Sequence, residues 1–142
     1  MTPLSRRGDW KARLNSYLLA CRAQPFVWGE FDCAFFVDGA IEAQTDVSFG
    51  GRFRGRYHSY SGGLRMIRRE AKCRDHLAFF AARLPEAPLA FAAPGDVVAV
   101  ETPEGPGLGI VQGAMAYHLT DRGMTMVPID AATRLLKVGA NV

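Results

Sequence analysis

The chain has 142 residues, of which 49% are hydrophobic and 22% charged, and its formal net charge is +3. This length predicts one domain with its own core, and no apolar run approaches the roughly 18 residues that cross a bilayer. The first residues lack the apolar stretch of a secretory signal. We therefore expect the protein to be made in the cytoplasm, where its cysteines stay as free thiols. Three cysteines without a Cys-x-x-Cys spacing argue against disulfides, a metal site or another cofactor.

Helical periodicity dominates the first half of the chain, residues 1–84. Helices are predicted at 9–21, 32–44, 62–72 and 75–84, with a glycine-rich loop at 45–60. Their expected N-caps are Asp9, Asp32, Ser61 and Asp75. Gly39 lies inside the second predicted helix, where glycine is costly, and this indicates the close approach of another element.

The second half reads as short strands separated by turns. Three prolines mark a linker at 85–95, and strands are predicted at 96–100, 108–112, 114–119, 124–129 and 135–138. A turn is expected at 102–107 and a helical turn at 130–134. Helices first and strands second predict an α+β fold, with a helical N-terminal half packed on a small antiparallel sheet formed by residues 96–142.

The segment 52–74 carries eight basic side chains and one acidic residue, Glu70. It is either a solvated helix face with its loop, or a surface that binds an acidic partner, an anionic glycan or nucleic acid. The candidate partner-binding residues are Arg52, Arg54, Arg56, Arg65, Arg68 and Arg69.

An aromatic turn containing glycine leads into Asp32-Cys33 at the start of the second predicted helix. The positive end of a helix dipole favours a thiolate, so a cysteine at this place is a candidate nucleophile. Asp32 has a simpler role as the helix cap, and its charge opposes thiolate formation. Cys33 is therefore either a reactive thiol or a small residue packed in the core.

Three segments in fixed order, Trp28–Cys33, Pro94–Val98 and Leu108–Gly113, resemble the NlpC-like cell-wall peptidases. The resemblance implies a papain-like fold, cleavage of peptide stems in bacterial peptidoglycan, and a nucleophile at Cys33. The segment Arg54-Gly55-Arg56-Tyr57 is similar to one in small proteins encoded in the tail modules of tailed phages and gene-transfer agents. This narrower resemblance implies a place at the tail tip or baseplate of a virion.

The resemblance breaks at the catalytic histidine, which opens the third segment in the family. Gly107 or Leu108 stands there in this chain, and neither accepts a proton. His118 lies near the family's third catalytic position, which orients the imidazole. Trp28 and Phe31 are expected to pack over the helix start, or to line the cleft of an active relative.

Three hypotheses follow. The first is a structural component of a phage or phage-like tail, made in the bacterial cytoplasm and assembled into the virion among other tail proteins, with a degenerate peptidase site. The second is an active peptidoglycan endopeptidase in which Cys33 is the nucleophile and His118 a relocated base. The third is a nucleic-acid-binding module that uses segment 52–74, which the sparse aromatics there disfavour.

Overall fold

The structure, a computed structural model, describes residues 4–139 and has an α+β fold, as predicted. Its α-helices are α1 (Trp10–Cys21), α2 (Cys33–Thr45), α3 (Tyr60–Met66) and α4 (His76–Ala81). Its strands are β1 (Glu86–Ala87), β2 (Val97–Thr102), β3 (Gly105–Gln112), β4 (Met115–Thr120), β5 (Gly123–Pro128) and β6 (Ala132–Leu136). They form one antiparallel sheet in the order β1-β6-β2-β3-β4-β5.

Helix α2 lies at the centre of the core, between α1 and the sheet. Its fully buried apolar residues are Phe36, Val37, Ala40 and Ile41. A Cβ on Gly39 would overlap the hydroxyl of Tyr17, which donates a hydrogen bond of 2.8 Å to the carbonyl of Phe36. The predicted close approach at Gly39 is confirmed, and the approaching element is α1.

The two faces of the sheet contribute to two separate hydrophobic clusters. In β3, Leu108 and Ile110 pack with the helices, whereas Val111 faces the opposite side. That second side holds a smaller cluster with Val98, Val100, Val111, Ala116, Ala132 and Leu135. The alternation follows from the period of two along a strand.

Several predicted boundaries in the helical half are wrong. Ser59, rather than Ser61, caps α3 by accepting the N–H of Gly62. The chain then leaves α-geometry and makes a π-helical turn at Ile67–Ala71. Helix α4 ends at Ala81. Asp9 precedes α1 but makes no side-chain cap bond, because its backbone is not in the extended conformation of a cap.

The strand half also departs from prediction at three places. β1 lies inside the predicted linker 85–95, where it pairs with β6. β3 begins at Gly105, so the predicted turn 102–107 is shorter. Residues Ile129–Ala131 form the helical turn, and β6 follows at Ala132–Leu136. Pairing with a distant strand extends these segments beyond what their own residues indicate.

Asp96 ties the two ends of the described chain to the sheet. Its fully buried carboxylate accepts the N–H of Ala93 at 3.0 Å, as expected for a residue that tightens the turn before β2. It also binds Lys137 Nζ at 2.5 Å, the N–H of Val138 at 3.2 Å and Arg6 Nη2 at 3.5 Å. These longer-range contacts were not predicted, because nothing local to Asp96 indicates them.

Candidate functional site

Asp32 caps α2, as predicted, and both of its carboxylate oxygens are used. One accepts the N–H of Phe35 at 3.0 Å, which is the cap bond. The other accepts the N–H of Gly29 at 3.0 Å and the hydroxyl of Tyr57 at 2.5 Å. Asp32 is only 2% exposed, so these bonds replace water around a buried carboxylate. Its position beside the cysteine therefore needs no catalytic explanation.

The segment Arg54–Tyr57 docks on the turn before α2. The N–H of Gly55 donates to the carbonyl of Gly29 at 2.8 Å, and the Arg54 guanidinium donates to the carbonyl of Glu30. Arg54 also lies 4.5 Å from the ring centroid of Phe35. The segment on which the resemblance to tail proteins is based thus stabilises the turn at the start of α2.

Gly29 has to be glycine for this docking to occur. Its φ is +82°, and a Cβ there would overlap the carbonyl oxygen of Tyr57. The aromatic-Gly turn and the Arg-Gly-Arg-Tyr segment are therefore two halves of one contact. Nothing in the sequence indicates that the two segments contact each other, so this contact was not predicted.

The thiol of Cys33 is bonded to the main chain of β3. Sγ accepts the N–H of Leu108 at 3.3 Å and lies 3.4 Å from the Leu108 carbonyl, to which it donates. The paired register of β3 and β4 ends at Gly109 and His118, so Leu108 is the first residue of β3 that does not pair with β4. The thiol therefore occupies the point where the two strands separate.

Burial raises the pKa of Cys33 to about 12. The bond from the Leu108 N–H lowers this pKa and the charge of Asp32 raises it, but burial is the dominant cause. The group is a neutral thiol at pH 7, despite its place at a helix start. The raised pKa and the two contacts with Leu108 together indicate a protonated cysteine that both donates and accepts a hydrogen bond.

His118 lies beside the position where the resemblance places the missing base. It pairs with Gly109 across β3 and β4, and its ring Nε2 is 2.7 Å from where a Cβ on Gly107 would be. The imidazole therefore fills the space that a side chain at 107 would need. His118 is only 8% exposed, so its ring is largely shielded from solvent.

Burial lowers the pKa of His118, which keeps the ring neutral at pH 7. Within residues 4–139, no hydrogen bond joins the ring to Cys33, whose two bonds both go to Leu108. The structure brings both predicted catalytic residues to the strand segment 107–109, but no hydrogen bond joins them within the described residues.

The two aromatic residues predicted at the helix start have different surroundings. Phe31 is 5% exposed and packs edge-on against Phe36 in the core, 6.4 Å between centroids. Trp28 is half-buried between Phe26 and Tyr60, at 4.7 and 5.8 Å. Trp28, and not Phe31, is therefore available at the surface near the site.

Of the other two histidines, His76 interacts electrostatically with two residues of the site, Asp32 and His118. His58 is exposed in the loop before α3. His76 lines a small cavity of about 30 Å³ with Asp38, Tyr57 and other residues, and burial lowers its pKa. This volume holds about one water molecule and excludes a substrate.

The candidate partner-binding arginines fall into two groups. Arg54 and Arg56 are used within the chain, Arg56 through an ion pair of 2.7 Å with Glu70. Arg69 shares Glu70 at 3.2 Å, and Arg68 donates to the carbonyl of Arg74. All six arginines are exposed, and Arg52, Arg65, Arg68 and Arg69 lie outside the Arg54–Tyr57 segment that docks on the turn, so these four are called the basic surface.

Residues 5–138 match the model of a family described as a domain of unknown function, DUF6950. The chain belongs to this family. No curated protein matches it significantly. In residues 4–139 of this DUF6950 member, no helix is long and apolar enough to cross a membrane, and no group of three or more His, Cys, Asp or Glu side chains is arranged to hold a metal ion.

Proposed function

We propose that the protein is a structural component of a phage or phage-like tail tip or baseplate, built on an NlpC-like, papain-like fold whose peptidase site is degenerate. It is made in the bacterial cytoplasm and incorporated into the tail. The observation that carries the proposal is the state of Cys33, whose neutral thiol is bonded on both sides to the main chain of Leu108.

A thiol peptidase needs a thiolate, a base within hydrogen-bond reach and donors for the oxyanion. Here the thiol pKa is about 12, and the residue at the family's histidine position is Gly107 or Leu108. Loss of general base catalysis alone costs about 10²–10⁴-fold in rate. The first requirement also fails, because burial of Sγ disfavours the charged thiolate more strongly than the Leu108 N–H stabilises it.

The remaining features suit a role in assembly. The cysteine turn and the Arg54–Tyr57 segment are bound to each other by several main-chain and side-chain contacts, which rigidify this end of the molecule. Next to it, the basic surface Arg52, Arg65, Arg68 and Arg69 is exposed. Such a surface favours a neighbouring tail protein with an acidic face.

Complementation of a tail-defective mutant of the source phage or prophage tests this proposal. Cys33→Ala should restore particle formation and infectivity to the wild-type level, because the thiol has no chemical role. Arg65→Glu with Arg68→Glu should reduce incorporation into purified tails, measured by mass spectrometry. Arg22→Glu, at an exposed arginine outside the basic surface, is the matched control. A folded Cys33→Ala protein that fails to complement contradicts the proposal.

One observation favours the second candidate, an active peptidoglycan endopeptidase. The neutral ring of His118 fills the space beside Gly107, so it is close to the place of the family's base. A rotation of Cys33 that breaks its bonds to Leu108 would be needed before His118 could deprotonate it. Cleavage of peptide stems that disappears in both Cys33→Ala and His118→Ala would establish this activity.

A further inference from the structure

The two edges of the sheet differ in length. β1 at one edge has two residues, whereas β5 at the other has six. The pair Thr120–Gly123 closes the β4–β5 hairpin, so alternation directs the N–H and C=O groups of Met124 and Met126 away from β4. No strand within residues 4–139 pairs with that outer edge.

β5 also lacks the usual protection of an edge strand. Natural edges carry lysines, bulges or internal prolines that prevent pairing with another chain. β5 has no charged residue and no break in its register with β4, and its only proline is the last residue, Pro128. Met126, at the middle of the edge, is 46% exposed. The edge is therefore competent to accept another strand.

We propose that β5 pairs antiparallel with β5 of a second copy of this chain, centred on Met126. In this register each Met126 exchanges two hydrogen bonds with its counterpart, and each Met124 N–H donates to the opposite Pro128 carbonyl. Arg122 in the turn before β5 then lies opposite Asp130 of the second copy, and the reverse holds by symmetry.

The charges of this register favour a second copy over an unrelated strand. Arg122 and Asp130 flank β5 at its two ends, and both are exposed and without an ion pair in the described chain. A copy related by a two-fold axis brings opposite charges together at both ends. Shifting the register by one residue would place Asp121 opposite Asp130 instead, which is repulsive.

The edge is short, which sets the expected strength of the contact. Stable specific interfaces bury about 1,200–2,000 Å² in total, more than six residues of strand edge supply. We therefore expect a weak dimer, detected as a concentration-dependent increase in sedimentation coefficient, and not an obligate one. The dimer continues the sheet across the two-fold axis.

Sedimentation velocity from micromolar to sub-millimolar concentration tests the proposal. Met126→Lys places two like charges opposite each other and should raise the dimer Kd about two- to fivefold. Leu19→Lys, at an exposed leucine on α1, is the matched control and should leave the Kd unchanged. Hydrogen exchange at the N–H groups of Met124 and Met126 should slow as concentration rises.

The register is tested by exchanging the flanking charges. Arg122→Asp should weaken the dimer, and adding Asp130→Arg should restore it, because the double variant returns the opposite-charge pairs. A wild-type chain that stays monomeric over the whole range overturns the proposal, as does a dimer that Met126→Lys leaves intact. Failure of the double variant to restore association overturns the Met126-centred register.

Discussion

The state of Cys33 makes a quantitative prediction about its chemical reactivity. Iodoacetamide alkylates thiolates, so the native protein at pH 8 is compared with the same protein unfolded in guanidinium chloride. Alkylation of Cys33 is followed by mass spectrometry in its own tryptic peptide, 23–52, which contains neither Cys21 nor Cys73. The unfolded chain supplies an ordinary thiol in the same sequence.

The magnitude follows from the pKa of about 12 in the folded chain. At pH 8 that value leaves about one thiol in 10⁴ ionised, against about one in four for an ordinary cysteine of pKa about 8.5. A thiolate of higher pKa is more nucleophilic, and a Brønsted coefficient of about 0.4–0.5 means that this offsets about 25–60-fold of the difference in ionised fraction. Native Cys33 should therefore react about 40–100-fold more slowly than unfolded Cys33.

The pH dependence has a definite sign. The rate for native Cys33 should rise about tenfold per pH unit between pH 8 and pH 10, where an ordinary thiol levels off above about pH 9. Shielding by the surrounding chain slows the reaction further but does not change this slope. A rate at pH 8 equal to or above that of the unfolded chain would refute the reasoning, because it would mean a thiol of ordinary or lowered pKa.

Two stability predictions use matched pairs of variants, measured by urea unfolding. Tyr57→Phe removes a hydrogen bond to the buried Asp32 carboxylate and should cost about 1.5–3 kcal/mol, whereas Tyr60→Phe removes one to an exposed carbonyl and should cost about 0.5–1.5 kcal/mol. Equal losses of stability in the two variants would mean that the bond from Tyr57 to Asp32 stabilises the fold no more than an exposed bond does. Gly39→Ala places a methyl group against Tyr17 and should cost about 1–3 kcal/mol of stability. Gly8→Ala, which has open space around it, should change stability by under about 0.5 kcal/mol. A Gly39→Ala variant as stable as the wild type would contradict the close approach of α1 to α2.

The parts of the fold that were predicted correctly depend on neighbouring residues. The caps at Asp32 and Asp75 each bond to an N–H three residues on, so the pattern is contained in the local sequence. The α+β division likewise follows from a change of hydrophobic period near residue 85. Gly39 indicated a close neighbour, but only the structure shows that it is Tyr17.

The parts that were missed depend on residues far apart in the chain. Cys33 and Leu108 are 75 positions apart in the chain. The bonds between them form where β3 and β4 separate, and no local pattern indicates that point. The ring of His118 reaches position 107 through strand register, which spacing does not define to a single residue. Tyr57 was considered only as part of the basic segment and of the Arg54–Tyr57 resemblance, because its bond to Asp32 joins residues 25 positions apart.

The central claim is that Cys33 has no catalytic role, and digestion of purified peptidoglycan tests it most directly. Wild type and Cys33→Ala are incubated with intact sacculi and with soluble fragments, and the peptide stems are analysed by mass spectrometry. We predict that neither protein releases a cleaved stem, with an active NlpC-like peptidase as the positive control. Stem cleavage by the wild type that is lost in folded Cys33→Ala would contradict the claim and establish a working hydrolase.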